Sequence, residues 1–136
     1  MRRVLLGALI VALGACGGPT SPSLRTDVIT GSLSSVDHPM ASDHKFYSVD
    51  VGQSGVLTAS IRWVGEGDVW VFIFDAQPPT NHVPLASNVT SHATSIFANV
   101  VAGTYWILLS QEQVVEGPHK GACGCVDDFT LTLTYP

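Results

Sequence analysis

Cations are scarce in this chain. Six lysines and arginines stand among 136 residues, against eleven aspartates and glutamates. A nucleic-acid binder needs a basic stripe to displace counterions from phosphate, and the six are scattered. The same scarcity argues against direct attraction to an anionic membrane surface. Charge of either sign is thin, at 12% of residues, while 46% are hydrophobic. That excludes a disordered chain and leaves enough apolar material for one core. Cysteine occurs three times, too rarely for a small scaffold stapled by several disulfides. Catalytic signatures are also missing. No serine sits in a G-x-S-x-G elbow, and no Ser/His/Asp set stands out. Glu66, Glu112 and Glu116 fall in or near turn signals, where solvated acids are expected rather than a glycosidase pair.

A membrane-spanning run is absent as well. The uncharged apolar stretch at residues 4–15 has 12 residues. As a helix it reaches about 18 Å, short of a hydrocarbon core of roughly 30 Å. Preceded by Arg2 and Arg3, it reads as the apolar region of an export signal. It closes on Leu13-Gly14-Ala15-Cys16, which resembles the lipobox of bacterial lipoproteins. The resemblance implies a diacylglyceryl group on the Cys16 sulfur and cleavage between Ala15 and Cys16. Position 17 is Gly rather than Asp, so by the same resemblance a Gram-negative cell would pass the protein to its outer membrane. The expected organisation is a signal peptide over residues 1–15, a lipidated cysteine with a Gly/Pro/Ser-rich tether over 16–26, and one domain over 27–136. Losing Arg2 and Arg3 leaves four cations against eleven acids, a net charge of -7.

From residue 27 onward apolar and polar side chains alternate. Leu57, Ala59, Ile61 and Trp63 alternate with Thr58, Ser60 and Arg62. Phe129, Leu131, Leu133 and Tyr135 alternate with Thr130, Thr132 and Thr134. Period 2 is the signature of a half-buried strand. Residues 69–74 (VWVFIF) and 105–109 (YWILL) are apolar at every position, as expected of central strands covered on both faces. Glycine-bearing turns separate the runs at residues 52–55, 65–68 and 102–103. The spacing predicts seven or eight strands, near 28–34, 44–51, 55–63, 69–75, 84–89, 94–100, 104–110 and 128–135. The expected class is an all-β antiparallel sandwich.

Four segments also carry a family resemblance. Residues 46–61 (FYSVDVGQSGVLTASI), 67–72 (GDVWVF), 102–107 (AGTYWI) and 129–133 (FTLTL) come in the order of the strand motifs of bacterial pre-peptidase C-terminal domains. The resemblance covers roughly residues 44–135. It implies a jelly-roll-like sandwich and a non-catalytic module of the kind that accompanies secreted hydrolases. Some relatives bind calcium, which makes Asp68, Asp127 and Asp128 candidate ligands. The second acid of the family's "D-x-D" pattern is Trp70 here.

Other candidates follow from residue chemistry. Once Cys16 is lipidated, Cys123 and Cys125 are the remaining thiols. In an oxidising compartment they form a candidate disulfide across Gly124, as a structural clamp or, if strained, a redox pair. With His119 they could instead hold zinc or copper. His38, Asp43 and His44 share an early polar stretch, read first as a solvated loop and second as a metal or acid–base site. Trp63, Trp70 and Trp106 could stack on sugar rings, although large aromatics in such runs more often build a core. The overall expectation is a lipid-anchored, non-catalytic envelope module that binds a polysaccharide, a peptide or an envelope protein. The alternative is a small periplasmic redox or metal-dependent protein using Cys123, Cys125 and His119. No cofactor beyond calcium is implied.

Overall fold

Alternating Val, Ile, Leu and Thr favour extended backbone, since branched side chains pack well on a pleated surface. The chain follows that preference. The structure is a computed structural model that describes residues 23–34, 44–65, 68–77, 83–112 and 126–136. Over them run eight strands: β1 (Arg25–Ser34), β2 (His44–Val51), β3 (Gly55–Val64), β4 (Asp68–Phe74), β5 (Ala86–Thr90), β6 (Ala93–Val100), β7 (Gly103–Glu112) and β8 (Val126–Tyr135). β1 begins at Arg25 rather than Val28, because its first polar residues find backbone partners at the end of β8.

The strands form two four-stranded antiparallel sheets, β1-β8-β3-β6 and β2-β7-β4-β5. The pairings β1·β8, β2·β7, β3·β6 and β4·β5 describe one long hairpin, folded over on itself. Contacts β3·β8 and β4·β7 then close each sheet. This is the jelly-roll arrangement. Every connection but β4–β5 passes from one sheet to the other, so the two layers cannot separate without breaking chain order.

The core lies between the sheets. Leu57, Ile61, Leu131 and Leu133 face Val69, Val71, Ile73, Ile107 and Leu109, all essentially sealed from solvent. Phe129 lies against Gly31: a Cβ there would meet the ring at 2.7 Å, so position 31 takes glycine for space. Tyr105 closes the turn before β7. Its Oη accepts from the Val101 amide at 3.0 Å and donates to the Val101 carbonyl at 3.1 Å.

The two ends of the sandwich differ. At the entry end, Arg25 pairs with Tyr135 and Gly55 with Val100, and short turns join β2 to β3 and β6 to β7. At the far end lie the C-terminal ends of β1, β3 and β7, with the starts of β2, β4, β6 and β8.

At the entry end the Tyr135 hydroxyl donates to Asp27 Oδ2 at 2.7 Å. That hydrogen bond, helped by burial and by the Asp27 charge, raises the Tyr135 pKa above its ordinary value. The folded value is higher than the unfolded one. The contribution to stability is therefore fully present below about pH 10 and is lost as pH rises through the raised value. Tyrosinate absorbance should show Tyr135 ionising above the ordinary tyrosine range. In Tyr135→Phe that late step should vanish and stability should decline less steeply in strong alkali. An unchanged titration would remove the Asp27 bond from the account.

Candidate functional site

A sandwich of this kind has two outer faces, and here they differ in chemistry. On the first sheet, cross-strand register aligns Thr26, Thr134 and Thr58 in one row and Thr132, Ser60 and Ser95 in the next. The Ser60 and Ser95 hydroxyls meet at 2.7 Å. This is the wet face that alternation predicts.

Toward the far end the same face becomes a trough of about 920 Å3 that crosses all four strands. Thr30, Thr130, Arg62 and Ala93 form one wall, in register across β1, β8, β3 and β6. Ser32, Asp128 and Val64 form the other. Between the walls runs the backbone of Gly31, Phe129 and Trp63, whose Phe and Trp side chains turn inward. His92 closes the β6 side, its Nδ1 2.9 Å from the Ser91 hydroxyl. The turn that carries it is held by Thr90, whose Oγ1 accepts from the His92 amide and donates to the Ala93 carbonyl. Arg62 and Asp128 are exposed diagonal neighbours, and neither forms an ion pair among the described residues. The trough therefore offers one fixed cation, one carboxylate and several hydroxyls with capacity to spare.

The second sheet's outer face is apolar. Trp70, Phe72 and Phe74 form a ladder along β4, with ring centroids 5.8 and 5.9 Å apart and nearly parallel planes. Beside it, Leu108 pairs with Phe72 and Trp106 with Phe74. Phe46 on β2 completes the central row and is 45% exposed. Leu85 and Val89 flank the other edge. With planes 12° and 26° apart, the rings stack offset along the strand.

The tryptophans thus divide. Trp63 is core, 4% exposed, and its Nε1 has no acceptor among the described residues. Trp70 and Trp106 are half-buried on the outer face of the second sheet. That corrects the expectation that residues 69–74 and 105–109 are covered on both sides. β4 and β7 are central strands, but among the described residues only their inner faces meet another layer. On the outer face Trp70, Phe72, Trp106 and Leu108 are half-buried, and Phe74 is buried.

The acidic candidates do not converge. Asp68 opens β4 on the outer face of the second sheet, whereas Asp128 is on the outer face of the first. The side chain of Asp127 lies outside the described residues, as do Cys16, His38, Asp43, His119, Cys123 and Cys125. Among the described residues no group of three His, Cys, Asp or Glu side chains is placed to hold a metal ion. His44 is near the Phe46 ring, at 6.5 Å between centroids. The trough residues Arg62, His92 and Asp128 were not singled out together by sequence reasoning, since only the β3·β8 and β3·β6 registers bring them to neighbouring rows.

The geometry defines an eight-stranded jelly-roll module whose first outer face is largely hydroxyl-bearing, with exposed Val28 and Phe97 on its edge strands, and whose second is largely apolar. No family model matches the chain, and no curated protein matches it. Among solved structures it is similar to the pre-peptidase C-terminal domain of a collagenase from Bacillus anthracis. That likeness has a TM-score of 0.56 at 15% identity, over 79% of this chain and 88% of that one. A protein of disulfide-linked pili forming Bacillus endospore appendages aligns more loosely, with a TM-score of 0.42 at 11% identity, over 89% of this chain and 95% of that one. The first comparison supports a pre-peptidase C-terminal-like fold, as the strand motifs led one to expect.

Proposed function

We propose that this chain is a lipid-anchored, non-catalytic binding module of the cell envelope, and that the trough on its first sheet takes a neutral glycan. The observation that carries the reading is the trough itself, with Arg62 and Asp128, in no ion pair among the described residues, beside Thr30, Ser32, Thr130 and His92. A guanidinium gives paired donors and a carboxylate gives paired acceptors, and vicinal sugar hydroxyls satisfy both. Their charges cancel, so an uncharged ligand loses nothing to repulsion. An open channel across four strands suits a chain-like ligand better than a compact one. Anchoring through Cys16 fits the position of the trough. β1 begins at Arg25 at the entry end and the trough opens at the far end, so an anchor at Cys16 would leave the trough facing away from it.

The test is a glycan array followed by calorimetry on the mature protein. Neutral polysaccharides should bind, with little dependence on salt. Arg62→Ala and Asp128→Ala should each weaken binding by roughly 10- to 100-fold, the worth of a hydrogen bond to a charged group. An empty array, binding restricted to peptides, or variants that bind like the parent would contradict the reading.

A further inference from the structure

Three exposed apolar side chains of the first sheet share one corner of the entry end. Val56, Phe97 and Val101 are 46%, 71% and 64% exposed. Val56 pairs with Asn99, and Phe97 and Val101 stand two residues to either side of Asn99. The corner is held firmly. The Oη of buried Tyr105 bonds both the amide and the carbonyl of Val101, which fixes the turn while the Val101 side chain stays in solvent. The corner is also free of charge. Residues 52–60 and 93–104, which build it, contain no acid, lysine or arginine. The described charges at this end, Arg25, Asp27, Asp50 and Asp75, stand on β1, on β2 and after β4.

We propose that this corner rests in the headgroup layer of the membrane that carries the lipid on Cys16, with Val56, Phe97 and Val101 entering it. The inference rests on the anchored reading given above, and three arguments favour lipid as the occupant. The first is reach. Leu24, itself 66% exposed, precedes β1 at the same end, eight residues from Cys16. Eight residues span at most about 26–29 Å even when fully extended. From β1 to β6 is three strand spacings, about 14 Å. The entry end is thus the part of the domain that the anchor holds nearest the bilayer. The second is size. Three side chains offer far less than the roughly 800 Å2 that each partner gives a specific protein interface. A bilayer needs no such area once the anchor has brought it close, because the contact is then intramolecular. The third is chemistry. A charged side chain is costly to carry into the acyl boundary, whereas Phe and Val gain by entering it. This corner brings Phe and Val and no charge.

The division of labour follows. The lipid supplies the holding, and the corner, too small to hold the domain alone, supplies the orientation. Seated on the ends of β3 and β6, the domain is kept from swinging about its tether, and the far end with its trough stays turned from the bilayer.

The experiment places the photo-crosslinking residue p-benzoylphenylalanine at Phe97 of the full chain, in the cells that make it. Phe97 is on an edge strand and mostly exposed, so the fold tolerates the larger ring. Illumination of the membrane fraction should add the mass of a phospholipid to the peptide carrying residue 97. The same probe at Val64, 76% exposed at the far end, should give no lipid adduct. Adding Val101→Asp to the Phe97 probe should lower the lipid adduct about tenfold while the protein stays in the membrane fraction, held by Cys16. Protein present in membranes with no lipid adduct at residue 97, an adduct to another protein instead, or equal lipid labelling from Val64 would overturn this inference and leave the anchor standing. Protein absent from the membrane fraction would overturn both.

Discussion

Leu131→Ala is expected to lower the stability of the domain by about 3–4 kcal/mol. Leu131 is fully buried on β8, which pairs on both sides. It stands in register between Ile29 of β1 and Ile61 of β3. Truncation removes three carbons' worth of contacts from both neighbours and the opposite sheet, and close-packed strands collapse only partly into the gap. Domains of this size hold only about 5–15 kcal/mol in total, so the loss is a large fraction. At roughly 4 °C or more per kcal/mol, the midpoint of thermal unfolding should fall by about 12 °C or more. The adjacent Thr132→Ala is the control, because Thr132 faces outward toward Ser60. Its effect should stay within about 0.5 kcal/mol. Two variants with equal effects would mean that the register of β8 is displaced by one residue, since a single slip exchanges the two faces.

Cys16→Ser should have the largest effect on location. A hydroxyl at that position cannot take the place of the thiolate in accepting a diacylglyceryl group. The expected result is near-complete loss of the protein from the membrane fraction, with an uncleaved or soluble form in its place. The physical reason is that each buried methylene contributes about 0.8 kcal/mol, and the domain itself offers no basic patch to replace several acyl chains. The folded domain should be unaffected: soluble Cys16→Ser protein should unfold at the same temperature as the parent. Unchanged membrane fractionation would remove the lipid from the account.

Much of the fold is legible in the sequence because period 2 reports burial directly. In β3 and β8 each apolar residue of the alternation is inside and each hydroxyl outside or half-exposed. Glycine turns then bound the strands to within about three residues. What alternation cannot say is which neighbour covers a face. Residues 69–74 are apolar throughout, and the natural reading is burial on both sides. The structure buries Val69, Val71 and Ile73 but leaves Trp70 and Phe72 half-open on the outer surface. Among the described residues no third layer covers that face, so an unbroken apolar run does not by itself report burial on both sides. The trough was hidden for a different reason. Arg62, His92 and Asp128 come from three distant parts of the chain, and each looks like an ordinary surface residue on its own strand. Only the β1-β8-β3-β6 order makes them neighbours. The motif resemblance located strand starts correctly at residues 55–57 and 103–105, where glycine turns meet the sheet.

The outward direction of the trough depends on a tether at the entry end. The direct measurement is mass spectrometry of the N-terminal peptide of protein purified from membranes. The account predicts a chain that begins at Cys16, lacks residues 1–15 and carries a diacylglyceryl thioether, with or without a further acyl group on the amine. A chain that begins at Met1, or at an unmodified residue downstream of Cys16, would contradict it.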